Sequence, residues 1–113
     1  MIFILRRAWL SPLPYTLASL GDVEHLVEYY IQGANHRLRR DTWMLTFIVP
    51  HLDLDKRIVT VCIGITYQRH SYPNYLGQFQ QAWANTQMML RAKERIVAAF
   101  TVRGFRANIE PRT

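Results

Sequence analysis

Three stretches of this chain carry residue types able to do chemistry. His51-Leu52-Asp53-Leu54-Asp55 sets three metal-ligating side chains two residues apart. In an extended backbone they would share one side, as a hard-metal or nuclease site requires. The same residues also make a polar hairpin loop in which Asp53 and Asp55 cap the turn, and that reading is favoured. No Gly follows where an EF-hand needs one. Asp53 also stands where the paired-histidine strand motif of rolling-circle nucleases has its second histidine.

Arg69-His70-Ser71-Tyr72-Pro73-Asn74-Tyr75 combines a cation, an imidazole and two phenols just before a predicted helix. Free N–H groups at a helix start can hold a phosphate. Tyr72 or Tyr75 can stack on a base, or act as a nucleophile beside His70. The plainer reading is a connecting loop whose tyrosines pack on the domain, with Ser71 or Asn74 as the helix cap.

Cations form the third group. His36-Arg37-Leu38-Arg39-Arg40 is the densest patch. Arg91 and Arg95 lie four residues apart and share a helix face, while Lys93 lies well round from both. Both sets suit phosphate contacts, and both equally suit solvated helix exteriors. Cys62 has no basic neighbour in sequence and reads as a small buried residue rather than a nucleophile. Trp9, Trp43 and Trp83 read as core or interface anchors.

Composition sets the context. Of 113 residues, half are hydrophobic and 19% are charged, which excludes a disordered tail. One α+β domain spanning 1–113 is expected. Fourteen basic residues face eight acidic ones, for a net charge of +6. Twelve of the basic residues are Arg, whose planar fork suits phosphate. Residues 1–55 hold five basic and six acidic side chains, a net −1, and residues 56–113 hold nine basic and two acidic, a net +7. An anionic partner is therefore easier to accommodate than a cationic one. A single cysteine excludes an internal disulfide and fits a reducing compartment. No secretory signal or membrane span is legible, so a cytoplasmic protein with no membrane partner is expected. No cofactor is implied.

These residues must be positioned by six expected elements. Ile2 to Arg7 reads as a short buried strand. Leu20, Val23, Val27, Tyr30, Ile31 and Ala34 make the apolar stripe of a helix from Ser19 to Leu38. Thr42–Val49 and Ile58–Tyr67 alternate as strands of an antiparallel hairpin closed by the loop Pro50–Arg57. Phe79, Trp83, Leu90, Val97 and Phe100 mark the buried side of a long helix from Asn74 to Arg103, with Gly104 as its C-cap. Phe105, Ala107 and Ile109 alternate with Arg106, Asn108 and Glu110 in an edge strand. The order β-α-β-β-α-β predicts a ferredoxin-like sandwich, with a four-stranded antiparallel sheet and both helices on one face.

The heavy strand faces belong against the helices. The other face shows Thr42, Met44, Thr46, Ile48, Ile58, Thr60, Cys62, Gly64 and Thr66. It lacks the aromatic residues that an RNA recognition module stacks on bases. A half-apolar face of this kind is expected to be covered, for instance by a second subunit.

The leading functional expectation is a non-enzymatic binder of nucleic acid or another polyanion, through Arg37, Arg39, Arg40, Arg69, Tyr72, Arg91 and Arg95. The alternative is a homodimer of the dimeric α+β barrel type, joined through the open sheet face. Its cavity would take a small molecule or do simple oxidative chemistry. A metal-dependent nuclease using His51, Asp53 and Asp55 comes third.

Overall fold

The computed structural model describes residues 14–36, 43–67 and 75–112; within that set, the side chains of Trp43, Tyr67 and residues 75–85 are excepted. The expected strand Ile2–Arg7 lies outside the described residues. Five elements follow one another: α1 (Leu20–Asn35), β1 (Trp43–Asp53), β2 (Ile58–Tyr67), α2 (Tyr75–Val102) and β3 (Arg106–Pro111).

α1 starts where a cap is available. Ser19 is extended (φ −149°), and its hydroxyl accepts from the Asp22 N–H at 3.2 Å. Asp22 answers by accepting from the Ala18 N–H at 2.9 Å. Val23, Leu26, Val27, Ile31 and Ala34 are buried along one side, whereas Leu20, assigned to that stripe, is 46% exposed. It precedes the first full turn and sits at the rim.

β1 and β2 pair antiparallel, from Trp43 opposite Tyr67 to Asp53 opposite Ile58. β1 therefore runs four residues beyond Val49, where alternation alone ended it. The pairing slips in between. Ile48 faces Cys62 and His51 faces Thr60, so Val49 and Pro50 together oppose Val61. This is a β-bulge, and Pro50 suits it because it has no N–H to give the ladder. The bulge reverses the side-chain phase. Leu45, Phe47 and Val49 face the core before it; Leu52 does so after it.

The expected ferredoxin-like sandwich is not the fold. The sheet is three-stranded and mixed, in the order β1-β2-β3, and β3 runs parallel to β2. In a ferredoxin-like sheet the last strand pairs antiparallel with the first. Here residues 106–111 take the place beside β2 that the first strand would fill. A parallel neighbour needs a crossover, and the 28-residue α2 provides it. The class remains α+β.

Both helices cover one face, α1 over β1 and α2 beside β3. The core joins Leu26, Leu45, Val59, Val61, Ile63, Ile96 and Phe100, each at most 1% exposed. On α2 the buried side is Ala92, Ile96, Ala99 and Phe100, while Leu90 is 46% exposed. The expected phase followed the larger residues. Of the expected stripe Phe100 is fully buried and Val97 half-buried, the side chains of Phe79 and Trp83 lie outside those described, and Ala92, Ile96 and Ala99 complete the buried side.

Gly104 ends α2 in the left-handed region (φ 82°), as its C-cap role requires. The turn before β2 has the only non-glycine positive φ among the described residues, at Arg57 (57°). Its guanidinium donates to the Arg103 carbonyl at 3.1 Å and lies 5.4 Å from the Phe105 ring centre. Its own carbonyl accepts from the Arg106 N–H at 2.8 Å, which opens the β2–β3 ladder. Among the described residues, no helix is long and apolar enough to cross a membrane.

Candidate functional site

The open sheet face is built in rows. Strand register puts Asp53, Ile58 and Arg106 side by side, then His51, Thr60 and Asn108, then Ile48, Cys62 and Glu110. β3 thus adds three polar side chains to a face that β1 and β2 leave mild. Gly64 continues the pattern beside Arg112: a Cβ placed on it would lie 3.0 Å from the Arg112 Cβ. The Arg112 N–H prolongs the ladder by donating to the Ile63 carbonyl at 3.0 Å. Among the described residues, the contacting elements place neither helix on this face.

His51 and Asp53 do share that face, as two-residue spacing in a strand requires. Their surroundings show the turn bond that the capping reading expects. The Asp53 Oδ1 accepts from the Lys56 N–H at 2.9 Å, so this carboxylate closes the turn. Asp55 lies in the turn and is exposed. No group of three potential ligands able to hold a metal ion occurs among the described residues. Cys62 is half-buried on the middle strand, beside Ile48 and Glu110 rather than in the core.

Charge is separated across the molecule. α1 and β1 carry Asp22, Glu24, Glu28 and Asp53, and no Lys or Arg. α2 and β3 carry Arg91, Lys93, Arg95 and Arg106 against Glu94 and Glu110. β2 lies between these halves. The imbalance along the chain is thus also an imbalance across the sheet, since the acidic helix and strand form one edge and the basic pair the other.

Arg91 and Arg95 are exposed on α2, and Lys93 is half-buried on another side, as their spacing requires. Arg103 is committed to structure. Its Nε donates to the Pro14 carbonyl at 3.0 Å, a guanidinium N–H donates to the Ala99 carbonyl at 2.8 Å, and the Tyr15 ring lies 5.9 Å away. Arg37, Arg39, Arg40, Arg69 and Tyr72 lie outside the described residues. The described ends to which the chain ties them are informative. Trp43 follows the first connector, Tyr67 precedes the second, and these two residues are partners at one end of the hairpin.

Two open depressions flank the sheet. One, of about 520 Å³, is lined by Leu20, Val49, Pro50, Leu52 and Leu54, with His51 and Asp55 on its rim. The other, also about 520 Å³, is lined by Val97, Ala98, Thr101, Val102 and Ile109, with Lys93 and Glu94. Sequence reading missed both. The signal for the second was Val102, an apolar residue off the buried stripe, now seen to be 73% exposed.

The chain matches no protein-family model, no curated protein and no solved structure.

Proposed function

We propose that this chain is a small basic α+β protein that binds nucleic acid or another polyanion through its backbone charge, without enzymatic action. The separation of charge across the sheet carries the reading. Arg91 and Arg95 project from the cation-rich half, and the acidic residues of α1 and β1 belong to the opposite one. A phosphate chain approaching the α2 side meets attraction that the acidic edge does not cancel locally. Arg37, Arg39 and Arg40 belong to one connector and Arg69 and Tyr72 to the other. Because Trp43 and Tyr67 are paired, both connectors are tied to one end of the sheet. By sequence the two connectors supply four further arginines and a phenol able to stack on a base.

The test is fluorescence anisotropy with labelled duplex and single-stranded 20-mers, from 50 to 300 mM salt. Affinity falls steeply with salt, and the log–log slope becomes shallower by about 2 on duplex when Arg91 and Arg95 are both changed to Ala. No binding to either probe at 50 mM salt contradicts the reading.

A further inference from the structure

The two edges of the sheet are complementary in charge, and each carries exposed apolar surface. On the first edge, Glu24 and Glu28 lie eleven and seven residues before Asn35, so all three share one flank of α1. Asn35 fixes where that flank points, because its side chain reaches the backbone of Leu45 on the edge strand β1. The depression at this edge includes Leu20 and Leu54, which are 46% and 39% exposed. On the second edge, the depression between α2 and β3 exposes Val102, with Val97, Ala98 and Ile109 around it. Lys93 stands on its rim, and Arg106 begins the strand below.

We infer that a second copy of this chain docks its α1/β1 edge against the α2/β3 edge of the first, head to tail. Like-to-like pairing of either edge would set acid against acid or cation against cation. Pairing unlike edges sets Glu24 and Glu28 toward Lys93 and buries apolar surface from both sides. The contact is heterologous, so it repeats into a ring or an open row according to its rotation. Side chains make this contact rather than strand addition, because Asn35 already occupies the backbone groups of Leu45 on the acidic edge. Glu94 also stands on the receiving rim and opposes the attraction. The contact shares a flank of α2 with Arg91 and Arg95, which lie eleven and seven residues before Val102, so it is tested without polyanion.

Sedimentation velocity of the full chain tests it, at 5 to 200 µM protein and low salt. The wild type sediments as species larger than a monomer. Val102→Asp reduces it to monomer, and this exposed position tolerates the change without loss of fold, checked by circular dichroism. Glu24→Lys/Glu28→Lys alone is monomeric, and so is Lys93→Glu alone. Mixing these two variants restores the large species, because each then offers the edge the other needs. Glu94→Lys raises the assembled fraction. A wild type that stays monomeric up to 200 µM overturns the inference. So does an assembly indifferent to the Val102, Glu24/Glu28 and Lys93 variants, which would place the contact elsewhere, such as the open sheet face. A dimer lost in the Val102 and Lys93 variants yet intact in the α1 variant also overturns it, because the α2 edge would then be pairing with itself.

Discussion

The side-chain amide of Asn35 pairs with both backbone polar groups of Leu45. The Leu45 N–H donates to Asn35 Oδ1 at 2.7 Å, and Asn35 Nδ2 donates to the Leu45 carbonyl at 3.1 Å. Leu45 lies on β1, whose far side faces no other strand of the three-stranded sheet. One amide from the last turn of α1 thus does what a neighbouring strand would do. It ties the helix to the sheet and closes part of a free edge that would otherwise recruit other chains.

Asn35→Ala removes both bonds and leaves two half-buried backbone groups to find water. The expected cost is about 1–3 kcal/mol in urea unfolding. Faster aggregation on heating is expected as well, since the edge is reopened. Asn35→Asp keeps an acceptor for the Leu45 N–H but sets a carboxylate against its carbonyl, so it falls between Ala and the wild type. Unchanged stability in Asn35→Ala would show that the pair does not hold α1 in place.

The centre of the core is Phe100, fully buried, with its ring 6.1 Å from that of Phe105 across the helix end. Phe100→Ala opens a cavity that the alanine-lined side of α2 cannot fill. A loss of about 3–5 kcal/mol is expected by denaturant unfolding. Leu90→Ala, on the exposed side of the same helix, is expected to cost less than about 1 kcal/mol. Equal losses would reassign the buried face.

The junction between α2 and β3 depends on backbone shape. Gly104 has φ 82°, and a Cβ there would meet nothing closer than 3.5 Å, so its demand is conformational rather than steric. Gly104→Ala is expected to cost about 1–2 kcal/mol in thermal or urea unfolding. Arg57→Ala loses the bond to the Arg103 carbonyl and the contact over Phe105, but it also relieves nothing of the positive φ. It destabilises the same junction, and Arg57→Gly restores part of the loss.

How much of this was legible depends on what each element advertises. Alternation in β2 named Val59, Val61 and Ile63 as core, and they are. In β1 the same rule was right through Val49 and then stopped, because a bulge looks like the end of alternation. Leu52 re-enters the core one residue out of phase. Residues 106–111 alternate as an edge strand does, but alternation is the same for parallel and antiparallel neighbours. Only the place beside β2 distinguishes them, and the sequence does not mark it. On α2 the exposure of Arg91 and Arg95 followed from their type, and Phe100 was named as buried, while Ala92 and Ala99 are too small to mark a face and Leu90 drew the expected phase away from Ile96. The bond from Asn35 to Leu45 had no local signal, since neither residue is unusual in its own element. Asp53 was read two ways, as metal ligand and as turn cap, and its bond to the Lys56 N–H is the one the cap reading requires.

That bond yields its own expectation. Mg²⁺, Mn²⁺ or Zn²⁺ is expected to leave the melting temperature unchanged, because Asp53 is engaged in the turn and no three potential ligands lie together among the described residues. Asp53→Ala lowers stability by about 0.5–1.5 kcal/mol through loss of the turn bond. A melting temperature that rises with one metal, and no longer rises in Asp53→Ala, would restore the metal reading.

The central claim is that the basic half of the molecule receives the polyanion. Amide chemical-shift mapping tests it most directly, with an unlabelled duplex 20-mer titrated into ¹⁵N-labelled chain at low salt. The expected perturbations gather on α2 around Arg91 and Arg95 and at the sheet end of Trp43 and Tyr67, sparing α1 around Glu24 and Glu28. Perturbations centred on α1 or on the His51, Thr60 and Asn108 row, or none at all, would contradict it.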